Sequence, residues 1–353
     1  MVNLASGLMS KGYSVELFIY HSNIDFFRKE IESNKIVIHE LKDNHFRWVN
    51  VIWKISRLYR NNNYDSVISF MDGPNLLAEV SQIIAFKKMR LIISERKSFQ
   101  MESSSIWFLF LRICHLLADY VVANSHSHSK WLRNKKWIKN KVYTIYNGYP
   151  LDAINSVQIL NRSDTSSKLK FLVLARIDSG KNGLRLLKAF IRFYHLHGFS
   201  PSLSWAGLQE KDPMSLYDRK LMDTLLIDHP EVGRKWRFLG VINDTKKLLQ
   251  EADALIHVSL YEGLPNAICE SFISACPVIA SNVCDHPILV EDGVRGFLCN
   301  PLSIDSICLA LERFTMLSAQ DRNKMGLNAR AYAESNLSID KMVSEYEALI
   351  NSN

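Results

Sequence analysis

The chain has 353 residues, 47% hydrophobic and 22% charged, with 14 Gly and 9 Pro; this excludes disordered and fibrous classes and sets about two domains as the starting expectation. Its net charge of +7 is uneven: residues 1–150 carry 21 Lys/Arg against 12 Asp/Glu, and the remainder is slightly acidic. Six cysteines, at 114, 269, 276, 284, 299 and 308, form no Cys-x-x-Cys pair and no Cys/His cluster with metal spacing, so reduced thiols are expected rather than disulfides or zinc.

The start, Met1-Val-Asn-Leu-Ala-Ser-Gly-Leu8, has no basic opening, no long apolar stretch and no cleavage site, so no signal peptide is expected. Short β-branched and aromatic runs follow at 15–20, 36–39, 66–70, 91–94, 120–124 and 142–146. Helix-period stretches lie between them, near 24–33, 46–62, 74–88, 102–117 and 126–136. The longest apolar stretch, 106–123, is broken by Arg112, His115 and Asp119; it reads as a buried helix followed by a strand rather than a membrane span. Residues 130–141 set two tryptophans among six cations, a pattern that fits either a solvated helix end or contact with an anionic membrane.

After Asn147-Gly148-Tyr149-Pro150 and a polar stretch at 161–168 the alternation restarts, with runs at 169–175, 202–206, 236–239, 254–259, 277–280 and 296–299. Alternating strands and helices imply βαβ units and parallel sheets, hence two doubly wound α/β domains, 1–150 and 151–336, with a last helix in 337–353. Ligands of such sheets bind beyond the carboxyl ends of the strands.

Two segments occupy such positions. After the run 169–175, Arg176 and Lys181 lie five residues apart on one strand-to-helix loop, where two cations can clamp a diphosphate or simply be solvated. After the run 254–259, Glu262-Gly263 makes a turn and Pro265 takes the first helical position, followed by Asn266 and Glu270. The amides and dipole of that helix start favour a bound anion. Read by spacing alone, Glu262 is equally an exposed turn residue and Glu270 a half-buried acid in an ion pair.

The second half resembles the retaining GT-B glycosyltransferases of family 4. The matching stretches are Leu172-Val-Leu-Ala-Arg176 with Lys181-Asn182, Trp205-Ala-Gly207, Phe238-Leu-Gly240, Glu262-Gly-Leu-Pro-Asn-Ala with Glu270, Cys276-Pro-Val-Ile-Ala-Ser281, Glu291-Asp-Gly293 and Asn328-Ala-Arg330. The resemblance implies a GT-B fold, two Rossmann-like domains facing across a cleft, with the last helix packing back on the first domain. It further implies that Arg176 and Lys181 bind the donor diphosphate, that Glu270 bonds the ribose, and that Glu262 meets the transferred sugar beside the backbone of the donor-binding stretch Gly263, Leu264, Pro265 and Asn266. Leaving-group charge is then met by fixed cations without a metal, in keeping with the lack of an Asp-x-Asp motif. Arg96, in Ser94-Glu-Arg-Lys97, is similar to a residue facing the donor sugar in some relatives.

The expected activity is transfer of a hexose or N-acetylhexosamine from a nucleotide sugar, UDP-linked by expectation, to a lipid-linked saccharide in surface-polysaccharide synthesis. The expected place is the cytoplasmic face of the bacterial inner membrane, which the basic first half would touch. A UDP-sugar epimerase and an inactive donor-binding protein are the alternatives; no nucleic-acid recognition motif is present. Two departures stand out. Cys284-Asp-His-Pro287 replaces a Gly-Gly pair, and Met1 falls at the edge of the first helix. A central strand and Gly-rich loop that relatives place before that helix are therefore expected to be missing, leaving the two flanking strands with unpaired backbone.

Overall fold

The computed structural model describes residues 1–19, 28–34, 36–40, 48–96, 106–151 and 169–352. The polar stretch at 161–168 and Lys97 lie outside them. The chain divides into two units, Met1–Pro150 with Leu337–Asn353, and Leu151–Asn336.

The first unit runs α1 (Val2–Ser10), β1 (Glu16–Ile19), α2 (Arg28–Ser33), β2 (Val37–Glu40), α3 (Trp48–Asn61), β3 (Ser66–Phe70) and α4 (Asp72–Ala85). It continues with β4 (Arg90–Glu95), α5 (Ile106–Cys114), β5 (Tyr120–Ala123), α6 (His126–Arg133) and β6 (Val142–Thr144). Its described strands form two parallel sheets, β1-β2 and β3-β4-β5-β6. Among the described residues β1 pairs only with β2 and β3 only with β4. A cavity of about 1250 Å³ is lined by residues of both, Leu17 and Phe18 from β1 and Ile68 and Phe70 from β3.

The second unit runs β7 (Lys170–Leu174), α7 (Gly183–His197), β8 (Ser202–Ala206), α8 (Pro213–Asp228), α9 (Pro230–Gly233), β9 (Trp236–Gly240) and α10 (Thr245–Glu251). Then come β10 (Ala254–His257), α11 (Asn266–Ile273), β11 (Val278–Ser281), α12 (His286–Val290), β12 (Gly296–Cys299), α13 (Ile304–Thr315) and α14 (Ala319–Asn336). A last helix, α15 (Ile339–Asn351), follows and belongs to the first unit. The six strands form one parallel sheet of order β12-β11-β10-β7-β8-β9. The order reverses between β7 and β10, which makes the carboxyl ends of those two strands the switch point of a doubly wound sheet.

Burial explains the strand sequences: β10 and β11 are buried at every position, as expected of parallel strands covered on both faces. Phe171, Phe190, Phe193, Trp205, Trp236 and Phe314 dominate the core of this unit. Backbone closeness requires glycine at Gly207, where an added Cβ would lie 1.8 Å from the Ala175 carbonyl oxygen.

In the first unit α15 packs on α1, joining Met342, Val343, Tyr346 and Leu349 to Leu4 and Leu8. At Gly7 an added Cβ would meet Val343 Cγ2 at 2.4 Å, so the helices touch where the side chain is absent. One sequence expectation fails: the helix from 106 onward is not simply buried. Leu111, Arg112 and His115 face inward, whereas Leu109, Phe110 and Ile113 are 45–47% exposed. The reason is a buried polar network: His115 Nδ1 bonds Glu79 at 2.7 Å, its Nε2 bonds Glu95 at 2.6 Å, His128 Nε2 donates to Glu95 at 2.8 Å, and Arg112 pairs with Glu95 at 3.0 Å. The polar side chains Arg112 and His115 find partners inside, and Leu109, Phe110 and Ile113 are left on the outer side.

Candidate functional site

The loops after β7 and β10 lie side by side at the switch point and are bonded to one another. Leu260 N–H donates to the Gly180 carbonyl at 2.8 Å. Asn182, buried and in the left-handed region at φ 62°, donates from Nδ2 to the carbonyls of Val258 at 3.1 Å and Pro301 at 2.8 Å. Asp178 caps the turn Ser179–Lys181 by accepting from Lys181 N–H at 3.0 Å. At Gly180 an added Cβ would approach the Tyr261 hydroxyl to 2.9 Å, so the loops fit closely there as well.

This frame brings Lys181 and Glu262 together. Lys181 Nζ donates to Glu262 Oε1 at 2.5 Å, and His257 Nε2 donates to the same oxygen at 2.9 Å. The exposed-turn reading of Glu262 is thereby corrected: its side chain is 13% exposed, because a lysine 81 residues upstream and the histidine at the end of β10 enclose it. Burial pushes the Glu262 carboxyl up, but the His257 hydrogen bond and charge and the Lys181 ammonium outweigh it and hold the carboxyl well below the usual range. Glu262 is therefore a fixed anion.

Behind His257 stands His286, its ring centroid 5.4 Å away. Burial, with His257 beside it, drops His286 to about 3, so it is neutral. Its Nδ1 donates to the Ser281 carbonyl at 2.8 Å. The segment Cys284-Asp-His-Pro287 thus gives α12 a neutral buried histidine as its first residue.

Arg176 stands nearby on the first loop with its side chain 59% exposed, bonded to Glu210 at 2.5 Å and close to Asp178 at 3.5 Å. Glu270 is the fifth residue of α11. Burial raises its carboxyl, opposed by a 3.4 Å bond from Thr245 Oγ1, and no ion pair of Glu270 is seen among the described residues. Pro265 caps α11 in extended conformation, and Asn266 is its first helical residue. The expectation of Pro265 at the first helical position is therefore corrected by one residue. Leu264 and Pro265 are buried and Asn266 is exposed, at the helix end where backbone N–H groups and dipole favour negative charge.

Arg96 lies in the first unit, directly after β4. Its guanidinium is 4.6 Å over the Phe70 ring and bonds Asn147, Ser94 and the Tyr346 hydroxyl. Arg96 thus joins β4 to α15 within its own unit. Sequence reasoning gave no role to His257 or Tyr261; a lone His inside an apolar strand run carried the only signal.

Residues 1–153 match the model of the family described as Glycosyltransferase Family 4, and residues 168–315 match that described as Glycosyl transferases group 1. The chain is 24% identical, over 99% of its length and 93% of the relative, to a Campylobacter jejuni protein named "GalNAc-alpha-(1->4)-GalNAc-alpha-(1->3)-diNAcBac-PP-undecaprenol alpha-1,4-N-acetyl-D-galactosaminyltransferase". It is 32% identical, over 31% of its length and 30% of the relative, to the Escherichia coli "UDP-Gal:alpha-D-GlcNAc-diphosphoundecaprenol alpha-1,3-galactosyltransferase". Among solved structures, Anabaena Alr3699/HepE in complex with UDP and glucose is similar at a TM-score of 0.80 and 17% identity, covering 100% of this chain and 96% of that one. The apo lipopolysaccharide outer core galactosyltransferase WaaB is similar at 0.73 and 14% identity, covering 99% and 93%. The fold these likenesses show is GT-B.

Proposed function

Because the chain belongs to the family 4 glycosyltransferases, we propose that it is a retaining enzyme moving a hexose or N-acetylhexosamine from a UDP-sugar to a lipid-linked saccharide in surface-polysaccharide synthesis. The observation that carries the reading is the Lys181–Glu262 pair held by two interlocked loops at the switch point of the second unit's sheet. An ammonium has three N–H donors. Glu262 uses one, fixing Nζ and leaving donors for a diphosphate; Arg176, largely exposed, adds a planar fork.

As the nucleoside diphosphate departs, negative charge grows on its oxygens, and these two cations with the amide-rich start of α11 meet it without reorganising. Such a site asks for no metal, and metal-independent transfer is part of the proposal. Glu270, on α11 and eight residues of sequence beyond Glu262 in the loop before it, is assigned the ribose hydroxyls. Glu262 is assigned the transferred sugar, with the backbone of Gly263 to Asn266 around it. The relatives named above act on undecaprenol-linked saccharides by their names. A lipid-linked acceptor together with the basic residues 1–150 supports a peripheral place on the cytoplasmic face of the inner membrane.

The test is transfer itself. The chain is incubated with tritiated UDP-sugars and lipid-linked saccharides extracted from bacterial membranes, with and without EDTA, and label is counted in the organic phase. Label from one UDP-sugar, unaffected by EDTA and lost in Lys181→Ala, is expected. Donor turnover without an acceptor would instead support the epimerase, and donor binding without turnover an inactive binding protein.

A further inference from the structure

The geometry points to α5 and the turn after it as a membrane-seated surface, an apolar helix face with a cationic segment at its carboxyl end that lies in the interface of an anionic bilayer. This extends the reading above by giving the enzyme's lipid side a defined place. In a soluble helix the apolar side faces the core; here Leu111 does, but a run of apolar side chains faces outward while an arginine and a histidine face in. Leu109, Phe110, Ile113, Leu116 and Leu117 are 41–47% exposed and recur at helical spacing, while Arg112 and His115 are 2% and 1% exposed. The inward side is fixed by the Glu79–His115–Glu95–His128 network, so the helix cannot roll its leucines inward without stripping those charges of partners.

The segment that carries the cations is tied to α5 and its turn by hydrogen bonds. Trp137 Nε1 donates to the Arg112 carbonyl at 3.0 Å, and Lys141 Nζ donates to the carbonyls of Leu116 at 2.8 Å and Ala118 at 2.6 Å. The segment from α6 to β6 is thereby placed at the carboxyl end of α5. It presents Lys130, Arg133, Lys136 and Lys139 exposed, and Trp137 37% exposed. Between 106 and 143 Asp119 is the only acid, and it is taken by the Leu91 N–H at 2.8 Å. A cationic segment with an exposed aromatic, set beside an apolar face, matches a bilayer of anionic headgroups over acyl chains. At nine residues α5 is far too short to cross a hydrocarbon core of about 30 Å, so it lies along the surface.

The test uses the full chain in flotation with vesicles of phosphatidylcholine alone and with about one third phosphatidylglycerol. Binding at least tenfold stronger to the anionic vesicles is expected. Phe110→Ser with Leu117→Ser should lower binding about tenfold or more at any salt, and Lys136→Glu with Lys139→Glu should abolish the anionic preference. Both doubles change exposed side chains, and unchanged titration with UDP shows that they fold. Quenching of Trp137 by brominated lipid, taken as wild type minus Trp137→Phe, reads its depth. The proposal is overturned if the doubles bind vesicles like wild type, if Trp137 is not quenched, or if the chain is a dimer in solution that Phe110→Ser dissociates. Loss of UDP binding with vesicle binding intact would sink the donor reading alone; the reverse would sink this one alone.

Discussion

Lys181 and His257 meet at one oxygen: their nitrogens lie 2.5 and 2.9 Å from Glu262 Oε1. Each reaches it from a different segment, Lys181 from the loop after β7 and His257 from the last residue of β10. The carboxylate is thus fixed from two sides, and it is this fixation that the first prediction addresses.

His257→Leu removes a hydrogen bond to a buried charged group, worth about 2 kcal/mol. The transfer rate constant should fall roughly tenfold or more by the same measure, with a smaller effect on UDP affinity, because Glu262 is assigned the sugar and not the nucleotide. His257→Gln, which can still donate, should recover part of the loss. Steady-state kinetics of the three proteins check this; equal loss in Leu and Gln variants would mean that His257 acts by packing alone.

Lys181→Ala leaves Glu262 with His257 and removes a cation assigned to the diphosphate. Calorimetry should show UDP and UDP-sugar weakened alike, by about tenfold to a hundredfold. Glu262→Gln should weaken the UDP-sugar while sparing UDP. Equal effects of Glu262→Gln on both would contradict its assignment to the sugar.

The first unit should be least stable at the two ends of the pH scale. Burial pulls the His115 imidazolium down, but the hydrogen bonds it donates to Glu79 and Glu95, with their charges, outweigh it and lift it from 6.5 to about 9. A proton held more tightly in the folded state stabilises fully below about pH 6.5 and ceases to do so as pH rises through 9. Burial pushes Glu95 up, yet His115, His128 and Arg112 hold it well below the carboxylate range, so its contribution is present above about pH 4.5 and fades in acid. Glu79, raised by burial against the pull of His115, subtracts from this at neutral pH. Urea midpoints should peak near pH 6, and His115→Asn should flatten the alkaline decline; an unchanged slope would refute the network's role.

Gly207→Ala should destabilise the second unit by about 3 kcal/mol, in the range of core strain. The new Cβ would sit 1.8 Å from the Ala175 carbonyl oxygen, which also accepts from Trp205 Nε1 at 2.9 Å. Calorimetric melting checks it, and a shift of less than a degree would show that the loop before Arg176 moves aside without cost.

What the sequence disclosed follows from how local the interactions are. Strands Ser66–Phe70, Ser202–Ala206 and Gly296–Cys299 fall where the β-branched and aromatic runs place them, since such side chains suit a pleated, at least half-buried surface. The run 254–259 overshoots β10, because the Val258 and Ser259 carbonyls turn to Asn182 and Ser281 instead of the ladder. The family stretches marked Arg176, Lys181, Glu262 and Glu270, but the burial of Glu262 depends on Lys181 far upstream. The inward turn of Arg112 and His115 likewise depends on Glu79 and Glu95, and no periodicity within 106–123 records those partners. His257 is hidden in the sequence for the same reason.

The most direct measurement is calorimetric titration of the purified chain with UDP- and GDP-sugars, beside Glu270→Ala and Lys181→Ala. Micromolar binding of one UDP-sugar, lost in both variants, is the predicted result. A folded chain that binds none of them, or binds one with undiminished affinity in both variants, would contradict the donor site described here.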